Sequence, residues 1–204
     1  MRIYLVRHGE TDWNIVRKLQ GRTDIPLNEK GIKAAQKTGE ALRNVLFTRA
    51  FSSPLKRAMD TAKLILGDRQ IPIIPDERII EISFGEFEGL CSKRGNYEIP
   101  DPDFQNFFLR PEAYKPPKGG ESLESLTERT RQFIQNLASE KEWEKETILV
   151  ATHGAAVRGL LNAVTKNPIS NFWHGGVPKN CSVSIVECHE GHMNLVQEDK
   201  VYYE

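Results

Sequence analysis

Ile3-Tyr4-Leu5-Val6-Arg7-His8-Gly9-Glu10-Thr11 opens the chain with a short apolar run that stops at a basic residue, an imidazole and a glycine. The apolar part predicts a buried strand, and the glycine marks where the backbone must turn. The pattern returns much later as Ile148-Leu149-Val150-Ala151-Thr152-His153-Gly154. Two buried-type strands, each ending in His-Gly, predict one site assembled across a sheet. Ligands of open α/β sheets bind outside the carboxyl ends of the strands, so His8 and His153 are expected to face each other there.

The segments between these strands supply the other layers. Asn28, after Pro26-Leu27, reads as the cap of a helix with Ile32, Ala35, Ala41, Leu42 and Val45 inward, although Gly31 and Gly39 weaken it. Leu46 to Ser52 predicts a second strand. Ser53-Pro54 then predicts a helix start, a hydroxyl cap followed by proline at the first position. Ala58, Met59, Ala62, Ile65 and Leu66 form its core face, Gly67 ends it, and Arg57 falls one turn inside. Ile71 to Ile74, interrupted by Pro72, reads as an edge strand.

From Leu90 to Gly120 the texture changes to mixed charge and five prolines without a sustained period. This stretch is the candidate cap or insertion, with Phe104, Phe107 and Phe108 spaced to pack from a short helix. Ser122 then caps an amphipathic helix whose Leu123, Leu126, Thr130, Phe133, Ile134 and Leu137 share one face. After the second His-Gly strand a helix turns Ala156, Val157, Leu160, Leu161 and Val164 inward. Cys181 to Glu187 and Met193 to Val196 flank His189-Glu190-Gly191-His192 and predict a terminal β-hairpin. The alternation predicts a three-layer αβα sandwich with a mainly parallel central sheet and an antiparallel C-terminal edge. Residues 1–204 are expected to form one domain, with the cap at about 90–120.

Composition narrows the function classes. The 204 residues are 39% hydrophobic and 27% charged, with 28 basic and 28 acidic residues. That balance gives no reason to expect a nucleic-acid or membrane-surface protein. The N-terminal apolar run is too short for a signal peptide or a membrane span. Cys91, Cys181 and Cys188 lack CxxC spacing, so neither a disulfide framework nor structural zinc is expected, and a cytoplasmic setting is the default. Cys188, His189 and His192 together resemble metal ligands, but a polar hairpin turn explains them more simply.

Arg7, His8, Arg57, Glu81 and His153 then define the expected chemistry. Two arginines and two imidazoles at glycine-lined strand ends make a positive pocket in a neutral protein, and arginine forks match phosphate oxygens. Neither a P-loop nor a dense carboxylate cluster for magnesium is present, so side-chain cations must stabilise the phosphoryl group. A neutral histidine can attack phosphorus and form a covalent intermediate. Glu81, flanked by Ile79, Ile80 and Ile82, is the candidate for a carboxylic acid kept protonated by its surroundings. Glu86 and Glu88 are its competitors.

These residues resemble the histidine phosphatase superfamily, in its phosphoglycerate mutase-like family. The resemblance is carried by Arg7-His8-Gly9-Glu10-Thr11 with Trp13-Asn14, by Gln20-Gly21-Arg22-Thr23-Asp24-Ile25-Pro26-Leu27, and by Ser52-Ser53-Pro54-Leu55-Lys56-Arg57-Ala58. Glu81 with Phe84-Gly85 and Glu88-Gly89, then Gly120-Glu121-Ser122, then Thr152-His153-Gly154 complete it, in the family's order across nearly the whole chain. It implies that His8 is the phosphorylated nucleophile and that Arg7, Arg57 and His153 bind the phosphoryl group. Glu81 would protonate the leaving oxygen and then activate water. Asn14, Gln20, Gly21 and Gly154 would contact phosphate or substrate, a small phosphorylated metabolite, and no metal or cofactor is implied.

Mutases of this family carry an arginine directly after the acid glutamate and an arginine pair in the insertion. Here Ile82 follows Glu81, and Leu90–Gly120 contains no Arg-Arg pair. The phosphatase branch is therefore expected, a histidine acid-type phosphatase. Mutase-type phosphoryl transfer and a non-catalytic phospho-ligand-binding relative are the alternatives. Lys93, Arg94, Arg110, Lys115 and Lys118 are interleaved with Glu98, Asp101, Asp103 and Glu112, which predicts a solvated mixed-charge surface. The substrate and the oligomeric state are not readable from the residues.

Overall fold

A computed structural model describes residues 1–203. Strand β1 (Arg2–Arg7) has alternating side chains committed to both faces, and a single turn α1 (Asp12–Ile15) follows it. Thr11 caps that turn reciprocally with Asn14: Thr11 Oγ1 accepts from Asn14 N and Asn14 Oδ1 accepts from Thr11 N. Such a capping box satisfies two otherwise orphaned donors. Helix α2 (Glu29–Ala41) starts at its expected cap, with Asn28 Oδ1 accepting from Gly31 N at 2.8 Å.

The buried face of α2 differs from the expected stripe. Ile32 is 38% exposed and Ala41 is exposed, while Gly31, Ala35, Thr38 and Gly39 face inward. A Cβ on Gly31 would stand 2.2 Å from Glu10 O, and one on Gly39 would stand 2.8 Å from Ile65 O. The glycines are the contact face because neighbouring backbone passes where a side chain would be.

Strand β2 (Arg49–Ser52) is shorter than expected, since Leu46 is 83% exposed. Helix α3 (Lys56–Leu66) begins after Ser53-Pro54 rather than on it; Leu55 is the capping position and makes no side-chain cap. Ala58, Ala62, Ile65 and Leu66 are buried as expected, and Gly67 closes the helix at φ +57. Strand β3 (Ile73–Pro75) lies at the sheet edge. The stretch before Glu81 forms no strand but a 3-10 turn, Glu77–Ile79. A small hairpin, β4 (Ser92–Lys93) and β5 (Asn96–Tyr97), and the short α4 (Asn106–Leu109) occupy the irregular 90–120 stretch.

Helix α5 (Leu123–Ser139) starts at Ser122, whose side chain accepts from Ser125 N at 3.2 Å. It precedes β6 (Thr147–Thr152), α6 (Gly154–Thr165) and the terminal hairpin β7 (Val183–His189) and β8 (His192–Lys200). The sheet order is β3-β2-β6-β1-β7-β8. The first four are mutually parallel, and β7 and β8 add antiparallel. The expected mainly parallel sheet with an antiparallel C-terminal edge is what the chain builds.

Strand alternation makes three layers. Ile3, Leu5, Ile148 and Val150 pack on Phe133, Ile134 and Leu137 of α5 and on Val157 and Leu160 of α6. Tyr4, Val6, Leu149 and Ala151 face the opposite way, against Leu42, Ala62, Ile65 and Leu66. Burying one such large side chain stabilises the fold by roughly 1.5–3 kcal/mol. Phe133, fully buried and edge-on to Phe51 at 5.7 Å, is a position where truncation to Ala should cost about 3–5 kcal/mol. A third cluster joins Ile82, Phe84, Phe104 and Phe107 to Leu123, Leu126 and Phe172, and it walls one side of the strand ends. Among the described residues no helix is long and apolar enough to cross a membrane.

Candidate active site

His8 leaves the end of β1 and His153 the end of β6. The parallel register pairs Arg7 with Thr152, so both histidines emerge at one level, with ring centroids 5.2 Å apart. His8 Nδ1 lies 2.7 Å from Gly9 O. A carbonyl can only accept, so Nδ1 carries the proton and Nε2 keeps its lone pair. Asn180 Nδ2 donates to His8 O at 3.0 Å, and Thr61 Oγ1 accepts from Gly9 N at 3.0 Å, which fixes the backbone on either side of the ring.

His153 has the opposite tautomer. Its Nδ1 faces Arg57 Nε at 3.2 Å, and arginine only donates, so Nε2 carries the proton and donates to Ser53 Oγ at 2.7 Å. Burial, then Arg57 and Arg7, hold the His8 imidazole well below its ordinary value of 6.5. Burial, then Arg57, His8 and Arg7, do the same at His153. Both rings are therefore neutral at physiological pH.

Arg57 projects from the first turn of α3 and is fully buried. Its Nη1 donates to Thr23 O and its Nη2 to Gly21 O, each at 2.7 Å. Burial pulls the guanidinium down to about 10, with Glu81, Asp24 and Glu88 opposing, so it stays charged. Burial likewise lowers Arg7, opposed first by Glu81. Arg7 Nη1 donates to Pro178 O at 2.5 Å, while its Nε is buried without a partner.

Glu81 stands at the N-terminus of α6. Its Oε1 accepts from Ile82 N at 3.0 Å and Ala156 N at 3.2 Å, and its Oε2 accepts from Ala155 N at 3.2 Å. The apolar surroundings expected from the sequence are replaced at the carboxyl itself by backbone donors. Ile79, Ile80 and Ile82 are buried, and Ile79 and Ile82 pack into the core clusters beside it. Arg129 Nη1 donates to Ile80 O at 2.6 Å and Arg22 Nε to Glu81 O at 3.3 Å, so two arginines clamp the backbone that carries Glu81. Arg129 and Arg22 are themselves tied to Glu121.

Arg7, His8, Asn14, Gln20, Gly21, Arg57, Glu81 and Gly154 all line one cavity of about 130 Å³. Phe84, Phe107, Phe108 and Trp173 complete its wall, so two of the three phenylalanines expected under the cap also face the cavity. Gln20 Oε1 is buried without a partner. His153 sits behind the cavity wall and does not line it. Glu88 does not compete with Glu81: its carboxylate accepts from Arg22 N at 3.0 Å, Thr23 N at 2.9 Å and Phe84 N at 3.1 Å. Glu86 is exposed. His189 turns away to Glu144 at 3.2 Å, and the three cysteines are buried and free.

Ser53, Thr61, Arg129 and Asn180 were not legible as site residues. Ser53 was read as a helix cap, and the others act through contacts made only when distant elements meet. An asparagine next to an odd cysteine carries no local signal.

Two neutral imidazoles, a buried and a half-buried guanidinium and a carboxyl on a helix start are gathered at one small cavity, an arrangement whose charge and size suit a tetrahedral anion. The family model described as the histidine phosphatase superfamily, branch 1, matches residues 3–199. Phosphoserine phosphatase 1 of Hydrogenobacter thermophilus is 32% identical over 93% of this chain and 88% of its own length. The 2,3-bisphosphoglycerate-dependent phosphoglycerate mutase 2 of Gloeobacter violaceus is 36% identical over 78% of this chain and 73% of its own. The solved structure of Bacillus stearothermophilus YhfR superimposes with a TM-score of 0.90 at 34% identity, covering 100% of this chain and 99% of that one. The chain belongs to the histidine phosphatase superfamily, branch 1. Its expected class, a phosphoric monoester hydrolase, stands with that membership.

Proposed function

We propose that the protein hydrolyses a small phosphorylated metabolite without a metal, through a phosphohistidine on His8. The observation that carries this reading is the His8 tautomer: Gly9 O holds the Nδ1 proton, which leaves the Nε2 lone pair for the cavity that Arg7, Arg57 and Glu81 share. Nε2 attacks phosphorus as the ester P–O bond breaks. Arg7 and Arg57 carry the charge on the equatorial oxygens. His153 acts through Arg57 rather than by direct phosphoryl contact: its Nδ1 accepts from Arg57 Nε while its Nε2–H is given to Ser53 Oγ. Glu81 relays to the departing alkoxide the proton that a phosphate monoanion brings into the cavity, then takes one from the water that attacks phospho-His8. Asn14 and the Gln20 amide are turned to the substrate, and the Gly21 and Gly154 backbones allow close approach.

Hydrolysis is favoured over mutase-type transfer because Ile82, where mutases carry arginine, is fully buried among Phe84, Phe104 and Phe107 and adds no charge to the site. We place the activity in the cytoplasm, a reading supported by three buried, unpaired thiols. The test is acid- and base-quenched turnover of a ³²P-labelled monoester in the presence of EDTA. Base-stable, acid-labile label on wild-type protein and none on His8→Ala is expected. Equal turnover by His8→Ala, or loss of activity in EDTA, overturns the proposal.

A further inference from the structure

Outside the small cavity, and sharing Arg7, Asn14 and Lys18 with it, lies a chamber of about 1060 Å³. Two more cations line it, Arg17 and Arg94, making three with Lys18 beyond Arg7, and no Asp or Glu does. Of the mixed-charge surface expected over this stretch only Arg94 reaches the lining; Glu98, Asp101, Asp103 and Glu112 do not, and neither do Lys93, Arg110, Lys115 and Lys118. Among the described residues none of the three cations has an ion-pair partner. In a chain of zero net charge that concentration is local.

The cations are held as a set. The backbone and side chain of Ser92 donate to Arg17 O at 2.9 and 3.0 Å, and Lys18 bridges to Cys91, so the β4–β5 hairpin carrying Arg94 is laddered onto the Arg17–Lys18 segment. Lys18 Nζ stands 5.5 Å from the Trp13 ring centroid, which orients the ammonium between cavity and chamber. Tyr97 and Phe108, 39% and 44% exposed, add apolar surface beside the charges.

We infer that the preferred substrate is a phosphomonoester with an extended alcohol carrying a second anionic group at its far end. The reacting phosphate fills the cavity at His8, the apolar body lies along Trp13, Tyr97 and Phe108, and the distal anion is received by Arg17, Lys18 and Arg94. This rests on the phosphatase reading above and deepens it. Small monoesters that end inside the cavity leave Arg17 and Arg94 unused, since of the three cations only Lys18 also lines the cavity.

The test compares ω-carboxyalkyl phosphates of two to eight methylenes with uncharged alkyl phosphates of equal length. A second arm replaces the carboxylate by a phosphonate, to distinguish which distal anion is preferred. The ratio of kcat/KM, charged over uncharged, should rise with length to about tenfold, as expected for a few partly exposed charge pairs. It should fall toward one in 0.5 M salt, where screening is nearly complete over these distances, and in the double variant Arg17→Ser, Arg94→Ser. A ratio near one at every length, or a ratio unchanged in the double variant, overturns the inference while leaving the phosphatase reading intact. Absence of turnover on every ester overturns both.

Discussion

Arg57 and Arg94 are both arginines at the substrate's expected path, yet their surroundings differ in every respect. Arg57 is fully buried, and Gly21 O, Thr23 O and His153 Nδ1 each take one of its donors. Arg94 is exposed on a two-residue strand turn and has no ion-pair partner among the described residues. The same contrast runs through the regions they belong to. At the strand ends every charged or imidazole group is oriented before substrate arrives; at the outer rim the charges are placed but not locked. Preorganised groups act where charge develops in the transition state, while exposed rim charges influence which molecule is captured. On the proposed reading, chemistry belongs to the sheet, and selection to the 90–120 stretch and the loop after β1.

Variants at the strand ends should separate the two regions most sharply. His8→Ala is expected to lower kcat by about 10⁴-fold or more, the scale seen when a covalent nucleophile is removed, with protein still folded by circular dichroism. Arg57→Ala should cost about 10²–10³-fold in kcat/KM. It should also lower thermal stability, because Gly21 O, Thr23 O and His153 each lose a donor. If Arg57→Ala alters KM alone, Arg57 belongs functionally with the rim rather than the floor.

Gly21→Ala probes the connection between the two. Gly21 has φ +50, and a Cβ there would stand 2.0 Å from Glu88 Oε1. Strain of about 1–3 kcal/mol is expected, read as a lower urea midpoint, together with a loss of kcat as Gly21 O moves away from Arg57. Ser53→Ala should reduce kcat by about tenfold with KM little changed, because it frees a ring that otherwise holds Arg57. A KM effect without a kcat effect would move His153 out of the reacting machinery.

The smallest effect is on pH. Both imidazoles are held neutral in the folded state, so as pH falls below about 6.5 the unfolded chain binds protons that the folded chain does not. Their contribution to stability is fully present above that pH and declines as pH drops toward the depressed folded values. Urea midpoints between pH 7.5 and 5 should therefore fall, and fall less in His153→Gln. The acid limb of kcat/KM should lie below pH 6.5, since His8 remains an available nucleophile there. A limb centred at 6.5 would show the ring to be solvated, more like the rim than the floor.

Local chemistry was legible where one residue decides one conformation. Asn28 and Ser122 cap the helices expected of them, because an N-cap is set by a side chain and a donor two or three residues on. The paired His-Gly strand ends do meet as expected, because parallel strands in one sheet present their carboxyl ends at one edge. Ser53 shows the limit: serine before proline is a sound local signal for a cap, but its hydroxyl is claimed by His153 from another strand. Gly31 and Gly39 look like weak points in α2 by helix propensity, yet they are where its backbone meets Glu10 and Ile65. Glu81 does line the cavity with His8, while its partners, the N–H groups of Ala155 and Ala156, belong to a helix far along the chain.

The register that sets Arg7 beside Thr152 has a kinetic corollary. The first and sixth strands must pair before His8 and His153 stand together, and Arg57 is fixed only when β2 has joined β6. Contacts so distant along the chain close late and slowly. Recovery of catalysis during refolding should thus lag the recovery of helical circular dichroism, making turnover a clock for the closing of the sheet.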